Sequence, residues 1–131
     1  MNNFFSLEHI GLAARDPRAL KDWYVKTLDA EVVFAMRQEP PAFLINLGGM
    51  LVEIYAAEAA IPETSNNRVA GWRHIALKVA SIEEARKRLE ERSVVDTESV
   101  KPAGGGGRVL FFKDLEGNLL HFTERLLEGF R

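Results

Sequence analysis

The feature that most constrains the fold of this chain is an internal repeat. The segment beginning Leu7-Glu-His-Ile-Gly-Leu is matched by one beginning Trp72-Arg-His-Ile-Ala-Leu, so that His9 and His74 are 65 residues apart. Glu53 and His121 hold matching places in Met50-Leu-Val-Glu-Ile-Tyr and Leu119-Leu-His-Phe-Thr, 68 residues apart. Because such repeats fold as copies of one structural unit, we expect a single domain, residues 1–131, built from two modules. The modules span about 1–62 and 68–131, with a linker rich in turn-forming residues at 61–68.

Each module is predicted to have the element order β-α-β-β-β. Asp16 followed by Pro17 is typical of a helix start, and the Ser81-Ile-Glu-Glu sequence is typical of another. The first module is predicted to contain strand 6–14, helix 17–28 and strands 30–36, 42–47 and 50–56. The second is predicted to contain strand 73–79, a helix to about residue 92, and strands near 94–100, 108–113 and 118–124. The predicted fold class is therefore α+β, with two tandem βαβββ modules forming a curved mixed sheet around a cleft.

Composition excludes several classes of function. The chain has 17 Lys and Arg against 19 Asp and Glu, a net charge of −2, which gives no electrostatic reason to bind nucleic acid or a membrane surface. With no cysteine, disulfides, thiolate metal sites and cysteine nucleophiles are excluded. No apolar run approaches the roughly 20 residues of a membrane span, and the first residues lack a signal-peptide pattern. We therefore expect a cytoplasmic protein with no nucleic-acid or membrane partner.

Four polar residues lie in predicted strands among apolar neighbours: His9, Glu53, His74 and His121. Strand alternation gives each module one such side chain from its first strand and one from its last. Three imidazoles and a carboxylate suit a divalent ion such as Ni, Zn, Co, Mn or Fe. A hydrogen-bonded structural role is the alternative for any one strand histidine. All three histidines of the chain, however, fall at repeat-related positions, which favours a metal cleft.

Four stretches resemble the vicinal oxygen chelate superfamily, which includes glyoxalase I, bleomycin and fosfomycin resistance proteins and extradiol dioxygenases. They are His9-Ile-Gly-Leu-Ala-Ala-Arg-Asp, Trp23-Tyr24 with Leu28, Trp72-Arg-His-Ile-Ala-Leu-Lys-Val, and Phe112-Lys-Asp-Leu-Glu-Gly-Asn-Leu-Leu. The resemblance implies paired βαβββ modules around a divalent metal ion, usually completed in a homodimer. It also implies that the metal chelates two neighbouring oxygens of a small-molecule substrate and stabilises an enediolate-like intermediate.

The resemblance can be carried over residue by residue. His9, Glu53 and His74 match metal-ligand positions of bacterial glyoxalase I, whereas His121 stands where that pattern has a glutamate that also transfers a proton. The resemblance therefore implies four metal ligands and catalytic roles for Glu53 and His121. Ala13 and Ala57 stand where glyoxalase I usually has an arginine and an asparagine for glutathione, which argues against glutathione dependence.

The resemblance implies a metal-dependent lyase or isomerase of glyoxalase type that acts on a small metabolite with adjacent oxygens. Two alternatives stay open. One is an Fe(II) or Mn(II) dioxygenase of the extradiol type, which needs open metal positions for oxygen. The other is a non-enzymatic protein that binds a small molecule, as bleomycin resistance proteins do.

Overall fold

The computed structural model describes residues 4–59 and 65–125. The chain divides into two compact units, Met1–Ala60 and Ile61–Arg131. The predicted linker, residues 61–68, begins where the second unit begins, and its residues 61–64 lie outside the described residues. In the described part of the chain, no helix has the length and apolar character needed to cross a bilayer.

The two units have the same strand order, which confirms the predicted tandem βαβββ architecture. The first contains β1 (Ile10–Ala14), α1 (Pro17–Leu28), β2 (Glu31–Met36), β3 (Ala42–Leu47) and β4 (Met50–Ala56), with the sheet order β1-β4-β3-β2. The second contains β5 (His74–Lys78), α2 (Ile82–Glu91), β6 (Lys101–Ala103), β7 (Gly107–Lys113) and β8 (Leu119–Arg125), with the order β5-β8-β7-β6. In each four-stranded sheet the first and last strands of the unit pair in parallel and the other neighbours pair antiparallel.

Both helices begin where the capping residues predict. The Asp16 carboxylate accepts a hydrogen bond from the backbone N–H of Ala19 at 3.0 Å, and Ser81 Oγ accepts one from Glu84 at 3.2 Å. These side chains satisfy backbone donors that the first helical turn leaves unpaired. In α1, Leu20 and Tyr24 are one turn apart and fully buried, so the helix contributes its apolar face to the core.

The predicted strand at 94–100 is wrong. The second strand of the second unit is β6, only three residues long and further along the chain. The first residue of the predicted segment, Val94, instead bonds to the end of α2, because its N–H donates to the Leu89 carbonyl at 2.8 Å. Strand β6 itself stays short and at the sheet edge, where Pro102, which has no N–H, is tolerated.

The register of the parallel pair is what positions the candidate site in each unit. Gly11 of β1 is paired with Glu53 of β4, and Ala76 of β5 is paired with His121 of β8. Gly11 lies two residues after His9, which immediately precedes β1 and not, as predicted, within the strand, and Ala76 lies two residues after His74, the first residue of β5. The repeat seen in the sequence is therefore a repeat of register as well as of element order.

Candidate metal centre

The first unit brings His9 and Glu53 together. His9 immediately precedes β1 and Glu53 lies in the middle of β4, and the distance from His9 Nε2 to Glu53 Oε1 is 3.8 Å. The two side chains are 36% and 31% exposed, so both are accessible to a small ligand. Gly11 lets the Tyr55 ring lie against β1 beside them, because a Cβ at Gly11 would lie only 3.2 Å from Tyr55 Cε1.

The second unit brings His74 and His121 together. Their ring centroids are 4.7 Å apart. The Phe111 ring lies 4.7 Å from that of His121 and 5.8 Å from that of His74, because β7 pairs Phe111 directly with His121. His74 is exposed, whereas His121 is only 6% exposed. This pair therefore joins one open and one buried imidazole against an aromatic wall.

All three histidines bind an oxygen acceptor through Nδ1. The distances are 2.8 Å from His9 to Glu8 Oε1, 2.7 Å from His74 to Asn67 Oδ1, and 3.2 Å from His121 to the Phe122 carbonyl. Because each partner is an acceptor, Nδ1 carries a hydrogen, and in the neutral imidazole Nε2 is then the nitrogen with the lone pair. Histidine ligands of protein metal sites are oriented in this way by an oxygen on the other ring nitrogen.

Burial sets the protonation state of His121. Removal from water lowers the pKa of its imidazole below the ordinary 6.5, with the hydrogen bond to the Phe122 carbonyl acting in the opposite direction. Repulsion from His74, when that imidazole is protonated, and from Arg125 also lowers the pKa. At neutral pH His121 is consequently neutral, the form that can bind a metal ion or accept a proton.

The residues present fit a divalent metal ion, because imidazole nitrogens and a carboxylate are suitable ligands and because the two donor atoms of the first unit are a suitable distance apart. Two ligand atoms each about 2.1 Å from one ion lie between about 3 and 4.2 Å apart, and the His9–Glu53 distance of 3.8 Å falls within that range. Each unit supplies two donors. Neither unit, in the residues that the structure describes, gathers three or more histidine, aspartate or glutamate side chains into a metal-binding group by itself.

Some residues of the site could not be found from the sequence. Asn67 lies in the predicted linker, and no periodic pattern connects it to His74. The contact between Phe111 and His121 is only weakly indicated by the sequence. Phe111 is an aromatic residue in the predicted strand that precedes the last one, so it could pack against a side chain of that last strand. Trp72, two residues before His74, is fully exposed.

The chain is similar to known proteins over most of its length. The sequence model described as Glyoxalase/Bleomycin resistance protein/Dioxygenase superfamily matches residues 6–122. YwkD of Bacillus subtilis, whose name assigns no function, is 27% identical over 114 residues, covering 83% of this chain and 88% of that protein. A glyoxalase family protein from Enterococcus faecalis is 28% identical, covers 92% of this chain and 98% of its own, and superposes with a TM-score of 0.73. A variant of the fosfomycin resistance protein FosX from Listeria monocytogenes, crystallised with Mn(II) and 1S,2S-dihydroxypropylphosphonic acid, is 20% identical over 94% of this chain and 92% of its own, with a TM-score of 0.69.

Proposed function

The chain belongs to the glyoxalase/bleomycin resistance protein/dioxygenase superfamily, and we propose that it is a metal-dependent enzyme of the glyoxalase type. Its reaction would be that of a lyase or isomerase on a small metabolite with two adjacent oxygens, without glutathione. The proposed ligands of the divalent ion are His9, Glu53, His74 and His121. The ion would be Ni, Zn, Co, Mn or Fe, and FosX, a protein of similar fold, was crystallised with Mn(II).

The observation that carries this proposal is the common orientation of the three imidazoles. A histidine used only for packing needs no particular ring nitrogen free. Here every Nδ1 is bonded to an oxygen and every Nε2 is left as a donor atom. The fourth group, Glu53, lies 3.8 Å from one of those Nε2 atoms. The arrangement therefore supports ligation better than a structural role.

When bound, a divalent ion would polarise the adjacent substrate oxygens and stabilise negative charge that develops on them. The protein's own part is to hold the ligands and to move a proton. We assign the proton transfer to Glu53 and His121. Glu53 is about one-third exposed and so is open to a small substrate, and His121, neutral at neutral pH, would accept a proton at Nε2 when that nitrogen is not bound to the ion.

Elemental analysis tests the metal site. We expect about one metal ion per chain after incubation with Ni, Co, Zn or Mn and removal of excess ion. Replacing His9 or Glu53 by alanine should abolish this binding. Glu58→Ala is the matched control, because Glu58 is an exposed carboxylate just beyond β4. Full metal content in both H9A and E53A would refute the ligand assignment.

Activity assays separate the three functions considered from the sequence. A glyoxalase-type enzyme should convert a hemithioacetal of methylglyoxal with a simple thiol, and a His121→Glu variant should keep or raise that activity. Oxygen uptake with catechols would instead indicate the extradiol-type dioxygenase. A protein that holds no metal and turns over neither substrate, yet binds a small molecule tightly, would be a binding protein of the bleomycin-resistance kind.

The proposal includes a homodimer with the metal site either within one chain or between two. Several large apolar side chains are exposed, among them Phe4 at 99%, Leu7 at 72%, Phe34 at 59% and Trp72 at 100%. A second copy of the chain would remove such side chains from water where it covers them. Size-exclusion chromatography with light scattering gives the mass directly, and a monomer at micromolar concentration would contradict this part of the proposal.

A further inference from the structure

The second unit contains a cavity of about 460 Å³ that adjoins the His74–His121 pair. Its walls include Asn67, Arg68, Glu98, Lys101 and Phe111. A volume of this size lies within the usual range for sites that bind small molecules.

Two wall residues connect this cavity to the histidine pair. Asn67 lines the cavity, and its Oδ1 accepts the hydrogen bond from His74 Nδ1 at 2.7 Å. Phe111 also lines it, and its ring packs against both imidazoles. A molecule in the cavity would therefore lie next to the same side chains that orient and cover the two proposed ligands.

The charge of the cavity walls is positive, with two cations against one carboxylate. Lys101 Nζ bonds to Glu98 Oε1 at 2.9 Å, and both side chains are about half exposed. The guanidinium of Arg68 has no hydrogen bond or ion pair with any residue in the described part of the chain. A guanidinium that lines a concave site and has no acceptor among the described residues is well suited to a carboxylate or phosphate, which it binds through two parallel N–H donors.

We propose that this cavity binds the anionic end of the substrate, a carboxylate, phosphate or phosphonate group. The inference rests on the proposed function, because it places the reacting oxygens of the same molecule at the histidine pair. It deepens that function by assigning the substrate class: a small metabolite with an oxyanion group beside its two adjacent oxygens. Arg68 would bind the anion, Lys101 would add charge, and Phe111 would form the apolar wall between the two ends.

The first unit supplies a matched control. Its own cavity, of about 440 Å³, is lined by residues that include Arg18, Arg37 and Phe43. Neither His9 nor Glu53 lines this cavity, nor does Glu8, which hydrogen-bonds to His9. Arg37 is therefore an exposed arginine in a cavity of similar size that is not linked to a proposed metal ligand.

Calorimetric titration of inorganic phosphate tests the anion site without any substrate. We expect metal-free protein to bind phosphate at millimolar concentration, Arg68→Gln to weaken that binding about tenfold or more, and Arg37→Gln to leave it unchanged. Lys101→Met should weaken it less, because Lys101 is already paired with Glu98. Phosphate binding that is absent in the native protein, or equal in the native protein and R68Q, would overturn the inference. Circular dichroism of each variant checks that it is folded.

Two further measurements keep this inference distinct from the proposed function. Acetate and methylphosphonate, titrated in the same way, identify which oxyanion group the cavity prefers, and a preference that disappears in R68Q supports the site. Metal content is measured on the same samples. A protein without metal but with Arg68-dependent phosphate binding would refute the metal-dependent function and keep the anion site. A protein that holds metal but binds phosphate equally well with and without Arg68 would keep the metal-dependent function and refute the anion site.

Discussion

The two units share one backbone plan and differ in what surrounds the same two positions. In the first unit Glu53 is paired across the antiparallel ladder with Leu44, and it is about one-third exposed. In the second unit His121 is paired with Phe111, whose ring covers it, and it is buried. The repeat therefore sets where each proposed ligand lies, while its neighbours determine how much water reaches it, and for His121 burial lowers the pKa.

A second difference lies at the start of the helices. In the second unit Glu124 accepts from the backbone N–H of Ile82 at 2.9 Å and from Arg108 Nη2 at 2.8 Å, and Arg108 also binds Glu83 through two nitrogens. When the strand registers of the two units are matched, Glu124 corresponds to Ala56 of the first unit and Arg108 corresponds to Pro41. A charged network thus ties α2 to its sheet, whereas α1 contacts its sheet through apolar packing and through Arg18 and Lys21, whose charged groups lie over the Phe43 ring of β3.

The largest expected effect comes from removing a proposed ligand of the second pair. We expect His74→Ala and His121→Ala each to lower metal affinity at least as far as the loss of His9 does. That loss should exceed the roughly 10–100-fold cost of losing a residue that only orients a ligand. Metal titration with a competing chelator measures it. If the double variant H74A/H121A still bound metal like the native protein, the site would belong to the first pair alone.

The next effect concerns the residues that orient the imidazoles. Asn67→Ala should weaken metal binding about tenfold, because His74 loses the acceptor that holds its ring. Glu8→Ala should cost less, since the Glu8 side chain is 82% exposed and water can replace it. The same chelator titration compares the two, and a larger effect for E8A than for N67A would reverse the proposed ranking.

The third effect concerns the melting temperature, to which the charged network around Glu124 should contribute. The hydrogen bond from Ile82 N–H, followed by those from Arg108, holds the pKa of Glu124 below its ordinary 4.5. A lowered folded-state pKa stabilises the native state at neutral pH, and this stabilisation is lost as the pH falls below about 4.5. Glu124→Gln should therefore lower the melting temperature at pH 7, and the gap to the native protein should narrow towards pH 3.

The control for that measurement is Glu91→Gln, which changes an exposed carboxylate at the end of α2. Its melting temperature should follow that of the native protein at every pH. A gap between E124Q and the native protein that stays constant from pH 7 to pH 3 would mean that the charge of Glu124 contributes nothing to stability.

The smallest effect should come from making the second unit resemble the first at one position. Phe111→Leu places the first unit's residue type beside His121. Since burial is the main cause of the lowered His121 pKa, opening the wall should raise that pKa towards 6.5. Proton NMR titration of the metal-free protein measures the change, and an unaltered or lower pKa would show that Phe111 is not what keeps water away.

The sequence predicted most of the fold because its signals were local and repeated. Asp16, Pro17 and Ser81 predicted both helix starts, and the strands predicted at 42–47 and 50–56 are β3 and β4 to the residue, with two glycines at positive φ in the turn between them. The strand predicted at 94–100 was wrong. The residue pattern there resembles that of a strand, but it does not reveal that Val94 is hydrogen-bonded to the end of α2.

The candidate site was predictable in part. The repeat predicted one metal-ligand type of side chain at the first strand and one in the last strand of each module, and the structure places His9 Nε2 3.8 Å from Glu53 Oε1 and the His74 and His121 ring centroids 4.7 Å apart. The Asn67 contact and the Arg68 cavity were not predictable, because both depend on how a segment without periodicity folds back towards His74. Convergence of all four ligands on one ion stays a prediction.

The parallel pairing of first and last strands has a consequence for synthesis of the chain. Strand β5 lies at the edge of its sheet and is hydrogen-bonded to β8, which leaves the ribosome last of the strands in that unit. His74 is thus made long before the strand that both completes its sheet and carries His121. A chain shortened before Leu119 would lose the ladder partner and the second imidazole together, so a nascent second unit cannot offer its ligand pair until its sheet is complete.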